Sequence, residues 1–418
     1  MGGQLITSVL KSSALALAGW LALATAGPVA AGVLTINANA SDPAPRAAWE
    51  ATVAAFRRDN PDVEVRLNIF DHESYKRSIR NWLTGASPDV VFWFAGNRMR
   101  EFAHLNLLED VSDLFTAPAR TELHAPAVDL VTVDGKQYGV PYSYYQVGFY
   151  YRRDLLERAG VKEAIGDWSA LLDACRRLKA QGLDAFAIGT KDLWPAAAWF
   201  DYLNLRLNGR AFHLELTAGA VPFTDSRVRS VLERWRELIE LGCFTRNHAS
   251  LSWQESQALL YQDRAAMMLI GNYIVPYFPP ELRERMDFAP FPMIGPERRR
   301  YEEAPTNSLH IPALARNKTD ARRFLAYVLR ADVQERINRA LLFLPVNLKA
   351  ATADDRFIKK GKELLLQADG LTQFFDRDTN EELATLAMKG FQEFMINPGR
   401  LDAVLADIER ARTRLLRN

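Results

Sequence analysis

The side chains that carry most enzymatic chemistry are present, but not in the spacings a reaction needs. Six histidines, His72, His104, His124, His213, His248 and His310, are scattered without metal-ligand spacing, and for each a structural or surface role outweighs ligation. There is no H-E-x-x-H, no P-loop lysine and no G-x-G-x-x-G behind a strand, and no G-x-S-x-G nucleophile elbow. Asp376 and Asp378 make a carboxylate pair. Acidic pairs are common on surfaces, however, and a glycosidase couple needs a set separation that spacing alone does not supply. No catalytic residue, metal site or cofactor is expected.

A second pattern is binding chemistry without reaction chemistry. Six short segments gather polar side chains, most of them beside aromatic ones: Asn39-Ala-Ser41-Asp42, Asp71-His72, Trp93 to Asn97, Lys191-Asp192-Leu-Trp194, Asn272-Tyr273 and Phe374-Phe-Asp376-Arg377-Asp378. Brought together, they make a pocket walled by rings and set with planar hydrogen-bonding groups. Sugars need that combination. Their axial C–H faces stack on Trp or Tyr, and each hydroxyl, donor and acceptor at once, meets Asp, Asn or Arg. Bonds to the charged partners are the stronger ones. Each residue also has a plain structural use: Trp93 in a core, Asp71 as a helix cap, Lys191 as a solvated charge, Arg377 in an ion pair.

The elements that must position these segments alternate. Val33 to Ile36 reads as a strand; Trp49, Val53 and Phe56 fall at helical spacing, and Asp59-Asn-Pro-Asp62 stops that helix. Val63, Val65, Leu67 and Ile69 alternate with polar residues as a second strand, Tyr75 to Leu83 is a short helix, and Pro88 to Phe94 is an apolar strand buried on both faces. That β-α-β-α-β order predicts a parallel sheet covered by helices. Later, a helix opens at Asp167, Phe186 to Gly189 is a strand, Asp225 to Leu241 is a long helix, and Ala265 to Gly271 is a buried strand. The chain is largely helical from Asp320 onward. Six polar–aromatic segments at strand ends suit an open α/β sheet, where ligands bind beyond the carboxyl ends of the strands.

Composition sets the remaining bounds. Lys plus Arg number 52 against 51 Asp plus Glu, a net charge of +1, so nothing argues for nucleic acid or an acidic membrane. Lys11 precedes an apolar run from Ser13 to Gly27 and small residues to Ala31, the pattern of a secretory signal peptide. No cysteine follows for a lipid anchor, so a freely soluble periplasmic chain is expected. The remaining 387 residues (418 minus 31) suit two lobes. Cys175 and Cys243 both sit within helical patterns rather than at turns, which favours two buried thiols over a disulfide.

From Gly135 to Asp154 the chain carries Gly139, Pro141 and, after them, six aromatic residues on an extended pattern. This is either buried sheet or a segment crossing between lobes with rings facing a cleft. Together with Pro88-Asp-Val-Val-Phe-Trp-Phe94, Phe149-Tyr-Tyr-Arg-Arg-Asp-Leu-Leu156, Ala265 to Tyr273, Phe324 to Leu329 and Leu344-Pro-Val-Asn347, it resembles the extracellular solute-binding proteins of ABC importers, in the carbohydrate group that includes maltose-binding protein. The resemblance spans nearly the whole mature chain.

That resemblance implies a type II periplasmic-binding-protein fold: two α/β lobes, each a mainly parallel sheet flanked by helices. The first would hold 32–142 and 308–345, the second 146–304 and 348–418, with hinges near 142–146, 304–308 and 345–348. It carries over Asp42, Trp93, Asn97, Tyr145, Gln146, Asp192, Trp194, Asn272, Tyr273, Asp376 and Arg377 as ligand contacts; Ser41, Asp71, His72, Lys191 and Asn307 complete the expected set. Trp93, Trp194 and Tyr273 are the expected stacking plates. Relatives often have Trp at position 273 and an acid at position 145, so maltose specificity does not transfer. The expected function is a monomeric, non-catalytic periplasmic binder that presents a neutral mono- or oligosaccharide to a membrane permease. The alternatives are a polyol, glycerol phosphate or sulfonated sugar as guest, or an exported glycoside hydrolase.

Overall fold

The computed structural model describes residues 32–116, 120–161, 165–295 and 299–415; the expected signal peptide lies outside them. The first apolar run forms β1 (Leu34–Ala38), followed by α1 (Pro43–Asp59), β2 (Val65–Ile69), α2 (His72–Thr84), β3 (Val90–Phe94) and α3 (Asn97–His104). Strands β1, β2 and β3 pair in parallel, as β-α-β connections require. On α1, Trp49, Val53 and Phe56 face inward. Trp49 meets Phe92 and Tyr142 edge-on at 4.5 and 5.0 Å, and Phe56 meets Phe324 at 5.1 Å. Burying three such side chains contributes about 5–9 kcal/mol.

The next strands, β4 (Val140–Tyr144) and β5 (Val147–Arg152), belong to different sheets, so the chain crosses at Tyr145-Gln146. The second sheet adds β6 (Asp184–Phe186), β7 (Ala265–Gly271) and β8 (Met286–Ala289), in the order β8-β5-β7-β6. Helices α4 (Trp168–Ala180), α5 (Trp194–Thr217), α6 (Ser226–Glu240) and α7 (Trp253–Tyr261) lie between these strands in sequence. A short strand β9 (Tyr301–Glu303) leads to β10 (Thr306–His310), which inserts between β4 and β3 in the first sheet. After α8 (Lys318–Leu329) and α9 (Ala331–Leu341), β11 (Leu344–Pro345) completes that sheet as β11-β4-β10-β3-β1-β2. The chain then leaves it for α10 (Arg356–Gln367), β12 (Gly370–Thr372), α11 (Phe375–Asp378), α12 (Glu381–Ile396) and α13 (Leu401–Leu415).

The α/β class and the two-lobe arrangement hold; the expected parallel character of the sheets does not. In the two main sheets parallel pairing is confined to β1–β3 and to β6 with β7, while β4, β5, β8, β10 and β11 all pair antiparallel; β9 and β12 form a separate parallel pair. The reason is the crossings: strands that arrive from the other sheet are not bound by the β-α-β rule. The expectation of free thiols is also corrected. Cys175, inside α4, and Cys243, just after α6, form a disulfide with Cα atoms 5.7 Å apart. Cys243 lies beyond the helix, which ends at Glu240, so its helical placement is corrected too; local spacing says nothing about two distant segments meeting.

Candidate functional site

Between the two sheets lies a cleft with an inner volume of about 170 Å³. One wall is the loop after β1 (Asn39, Ser41, Asp42), His72 at the start of α2, Phe92 and Phe94 of β3 and Tyr142 of β4, with Tyr145 and Asn307 at the crossings. The facing wall is Trp194 at the start of α5, Trp253 at the start of α7, Tyr273 and Tyr277, and Phe374, Asp376 and Arg377. Phe343 closes the floor.

The rings form a connected cage. Trp253 meets Tyr273 at 5.2 Å and Tyr277 at 5.6 Å, both edge-on, and Trp194 meets Tyr273 at 6.3 Å. Tyr145 stacks on Phe343 at 4.7 Å and stands edge-on to Tyr273 at 5.4 Å. Gly271 permits this, since a Cβ there would lie 2.4 Å from the Tyr273 ring and 2.7 Å from that of Tyr145. Burial pushes the Tyr145 hydroxyl up to about 12 and raises that of Tyr273 well above its ordinary value. Both therefore stay neutral donors.

Arg377 is the cation of the cleft and is 7% exposed. Its Nη2 donates to the Tyr145 hydroxyl at 3.0 Å and its Nη1 to Asn307 Oδ1 at 3.3 Å. The guanidinium lies 4.2 Å from the centre of the Phe94 ring, a favourable cation–π geometry. These contacts engage two of the five N–H groups and hold the fork in place, leaving others for a guest. His72 is held neutral well below its usual range, by burial first and then by Lys76 and Arg377. Asn39 Nδ2 donates to His72 Nδ1 at 3.2 Å, which puts the ring proton on Nε2. Across the opening, the Tyr277 hydroxyl bonds Asp42, and burial with that carboxylate keeps the phenol protonated. Two carboxylates, Asp42 and Asp376, thus face one guanidinium among the lining residues.

Of the expected contacts, Ser41, Asp42, His72, Tyr145, Trp194, Tyr273, Asn307, Asp376 and Arg377 line this cleft. The others do not. Trp93 is the main correction: with a side-chain period of two, Phe92 and Phe94 face the cleft and Trp93 faces the opposite side of the sheet. There it packs 5.6 Å from Phe102 and beneath Arg98 at 5.4 Å, 2% exposed. Asp71 caps α2, its Oδ1 accepting from Ser74 N at 2.9 Å, which lowers its carboxyl pKa. Asn97 lines a separate cavity of about 400 Å³ and donates its backbone N–H to Asp378 at 3.1 Å. Gln146 and Asn272 lie beneath the floor, joined at 2.7 Å, with the Tyr150 hydroxyl donating to Asn272 at 2.6 Å. Lys191 and Asp192 shape the turn into α5: Trp194 N donates to Asp192 O at 2.8 Å, and neither residue lines the cleft.

Sequence reasoning passed over Trp253, Tyr277 and Phe343. Trp253 carried a local signal, because Ser252 and Glu255 form a capping box that starts α7 at this residue. Nothing local marks Phe343, which follows the left-handed Leu342 ending α9.

Residues 39–335 match the profile of the bacterial extracellular solute-binding proteins, and the chain belongs to that family. An uncharacterised ABC transporter extracellular-binding protein of Pyrococcus horikoshii is 22% identical over 298 residues, covering 70% of this chain and 66% of its own length. A second from that organism is matched over 54% of its length. An osmoprotective compounds-binding protein of Synechocystis is 24% identical over 300 residues, 68% of this chain and 70% of its own. Among solved structures, the bacterial solute receptor AcbH, described as exclusively preferring β-D-galactopyranose, superposes with a TM-score of 0.87. It is 28% identical, over 92% of this chain and 99% of that one. A chitin oligosaccharide binding protein superposes with a TM-score of 0.83 at 19% identity, over 92% and 98%. Among the described residues no helix is long and apolar enough to cross a membrane, and no group of three or more His, Cys, Asp or Glu could hold a metal.

Proposed function

We propose that this protein is the exported, non-catalytic binding component of an ABC importer, and that it takes a neutral saccharide in the cleft between its lobes. The observation that carries this reading is the lining itself: a cage of Trp, Tyr and Phe rings set with Asn, Asp, His and Arg side chains. Two carboxylates against one guanidinium disfavour a phosphate or sulfonate, which would call for cationic excess. Trp194, Trp253 and Tyr273 are the stacking plates; Arg377, Asp42, Asp376 and His72 are the hydroxyl partners. The lobes are 32–142 with 308–345 and 146–304 with 348–418, and they turn about the crossings near 142–146, 304–308 and 345–348. A guest touching both walls favours the closed arrangement, because only differential affinity shifts a two-state equilibrium. The closed form is what the permease reads.

An exported glycosidase would place a carboxylic acid of raised pKa at the guest. The carboxyls raised by burial, Glu73, Asp184, Asp201, Glu302, Glu303 and Asp378, do not line the cleft, which favours binding over hydrolysis. The test is thermal denaturation against D-glucose, D-galactose, maltose and N,N′,N″-triacetylchitotriose. At least one should raise Tm with concentration, and Trp194→Ala should abolish the rise. No shift with any neutral saccharide, alongside a shift with a sugar phosphate, would reject the reading.

A further inference from the structure

Behind the cleft wall two acidic residues meet without a base. Asp201 of α5 and Glu303 at the end of β9 are both fully buried. Asp201 Oδ2 accepts the backbone N–H of Phe375 at 2.9 Å, directly before the cleft residues Asp376 and Arg377. Glu303 sits where β9 leaves for the first sheet. Neither of its carboxyl oxygens meets an N–H or hydroxyl donor among the described residues, nor does Asp201 Oδ1; the two side chains bond each other. Contacting carboxylates without a cation cannot both ionise, and one proton between them turns repulsion into a hydrogen bond.

We propose that Asp201 and Glu303 are positioning residues of the ligand site. As a buried acid–carboxylate pair they tie the turn 374–377 to the strand that crosses between the lobes. The acidic neighbours support one retained proton. Asp376 and Asp378 of α11 oppose ionisation of Asp201; Glu302 and Asp376 oppose that of Glu303. Tyr202 of α5, Tyr145 and Tyr273 face Glu303 as neutral phenols. The nearby cation on α5, Arg206, is engaged by Glu302 at 2.7 Å, and Arg377 points to Tyr145 and Asn307. Burial first raises both carboxyls; their mutual bond then lowers Asp201 and raises Glu303, so the retained proton sits on Glu303. Loss of that proton in alkali sets two charges against each other and releases either Phe375 or the crossing strand, displacing Asp376 and Arg377.

The inference rests on the saccharide reading only for its binding readout, so two measurements are paired. In calorimetric titrations with whichever of D-glucose, D-galactose, maltose or N,N′,N″-triacetylchitotriose binds, wild-type affinity should be level from pH 6 to 7.5. In more alkaline solution, up to pH 9.5, it should fall by up to about tenfold per pH unit, the limit for releasing one proton. Glu303→Gln, whose amide donates to Asp201, should keep the neutral-pH affinity within about twofold and lose the alkaline fall; Asp201→Asn should do the same by donating to Glu303. Asp201→Ala should bind at least tenfold more weakly at every pH. In melting curves without ligand, a carboxyl raised in the folded state loses stability as pH climbs above about 4, its unfolded value, toward its raised folded value. Wild-type Tm should therefore drop more than that of either conservative variant between pH 5 and 8. A wild type level to pH 9.5 in binding, or a conservative variant that keeps the wild-type fall, overturns the pair. If no saccharide binds, the saccharide reading fails, and the melting comparison alone decides the pair: equal drops overturn it.

Discussion

Replacing Arg377 by Met keeps the length and apolar stem of the side chain and removes its charge. In the native cleft the guanidinium donates to Tyr145 and Asn307 and rests 4.2 Å above the Phe94 ring. A hydrogen bond to a charged group contributes about 1.5–3 kcal/mol net. If Arg377 makes one such bond to a saccharide hydroxyl, its loss weakens binding by about 10- to 150-fold, at about 1.4 kcal/mol per factor of ten. The variant should also melt lower, because the Asn307 oxygen loses its donor and the cation–π contact of roughly 1–2 kcal/mol is gone. Isothermal titration reads the affinity, with near-UV dichroism reporting that the aromatic cage is intact. Arg377→Lys should fall between wild type and Met, because an ammonium keeps the charge but not the fork. For a neutral guest, wild-type affinity should barely change between about 0.05 and 0.5 M salt, since screening acts on charged pairs. A Met variant binding within threefold of wild type, with its cage intact, would refute the assignment of Arg377 to the guest.

Gly271→Ala forces a methyl carbon into the space of the Tyr273 and Tyr145 rings; saccharide affinity should fall at least tenfold, and titration of the folded variant checks it. The Cys175–Cys243 bond spans 68 residues, so replacing both by Ala should cost about 4 kcal/mol in the loop-entropy picture, read as a lower urea midpoint. His213 and His310 are fully buried, and burial pushes each down to about 4. Unfolded, each binds a proton near pH 6.5, so the unfolded chain holds more protons between pH 6.5 and 4. The stability from keeping them neutral is complete above pH 6.5 and drains as pH falls through that window, by up to about 3 kcal/mol each. His310→Gln should flatten the urea-midpoint profile between pH 7 and 4.5; an unchanged slope would contradict the burial argument.

What the sequence determined alone is what short-range pattern encodes. The alternation in Val63 to Ile69, the helical spacing of Trp49, Val53 and Phe56, and the buried run Ala265 to Gly271 each name an element, since period and turn chemistry act within a few residues. Loop positions at strand ends, such as Ser41, Asp42, Trp194 and Asp376-Arg377, were legible for the same reason. Tertiary structure decided whatever depends on two distant segments meeting. It turned Trp93 away while Phe92 and Phe94 faced the cleft, because the face a strand presents depends on where its neighbours pack. It set Gln146 and Asn272 beneath the floor, brought Trp253 and Phe343 into the cage, and joined Cys175 to Cys243. It also gave the later strands their antiparallel pairing, because the direction of a strand follows from the route of the chain between lobes, which no local pattern records.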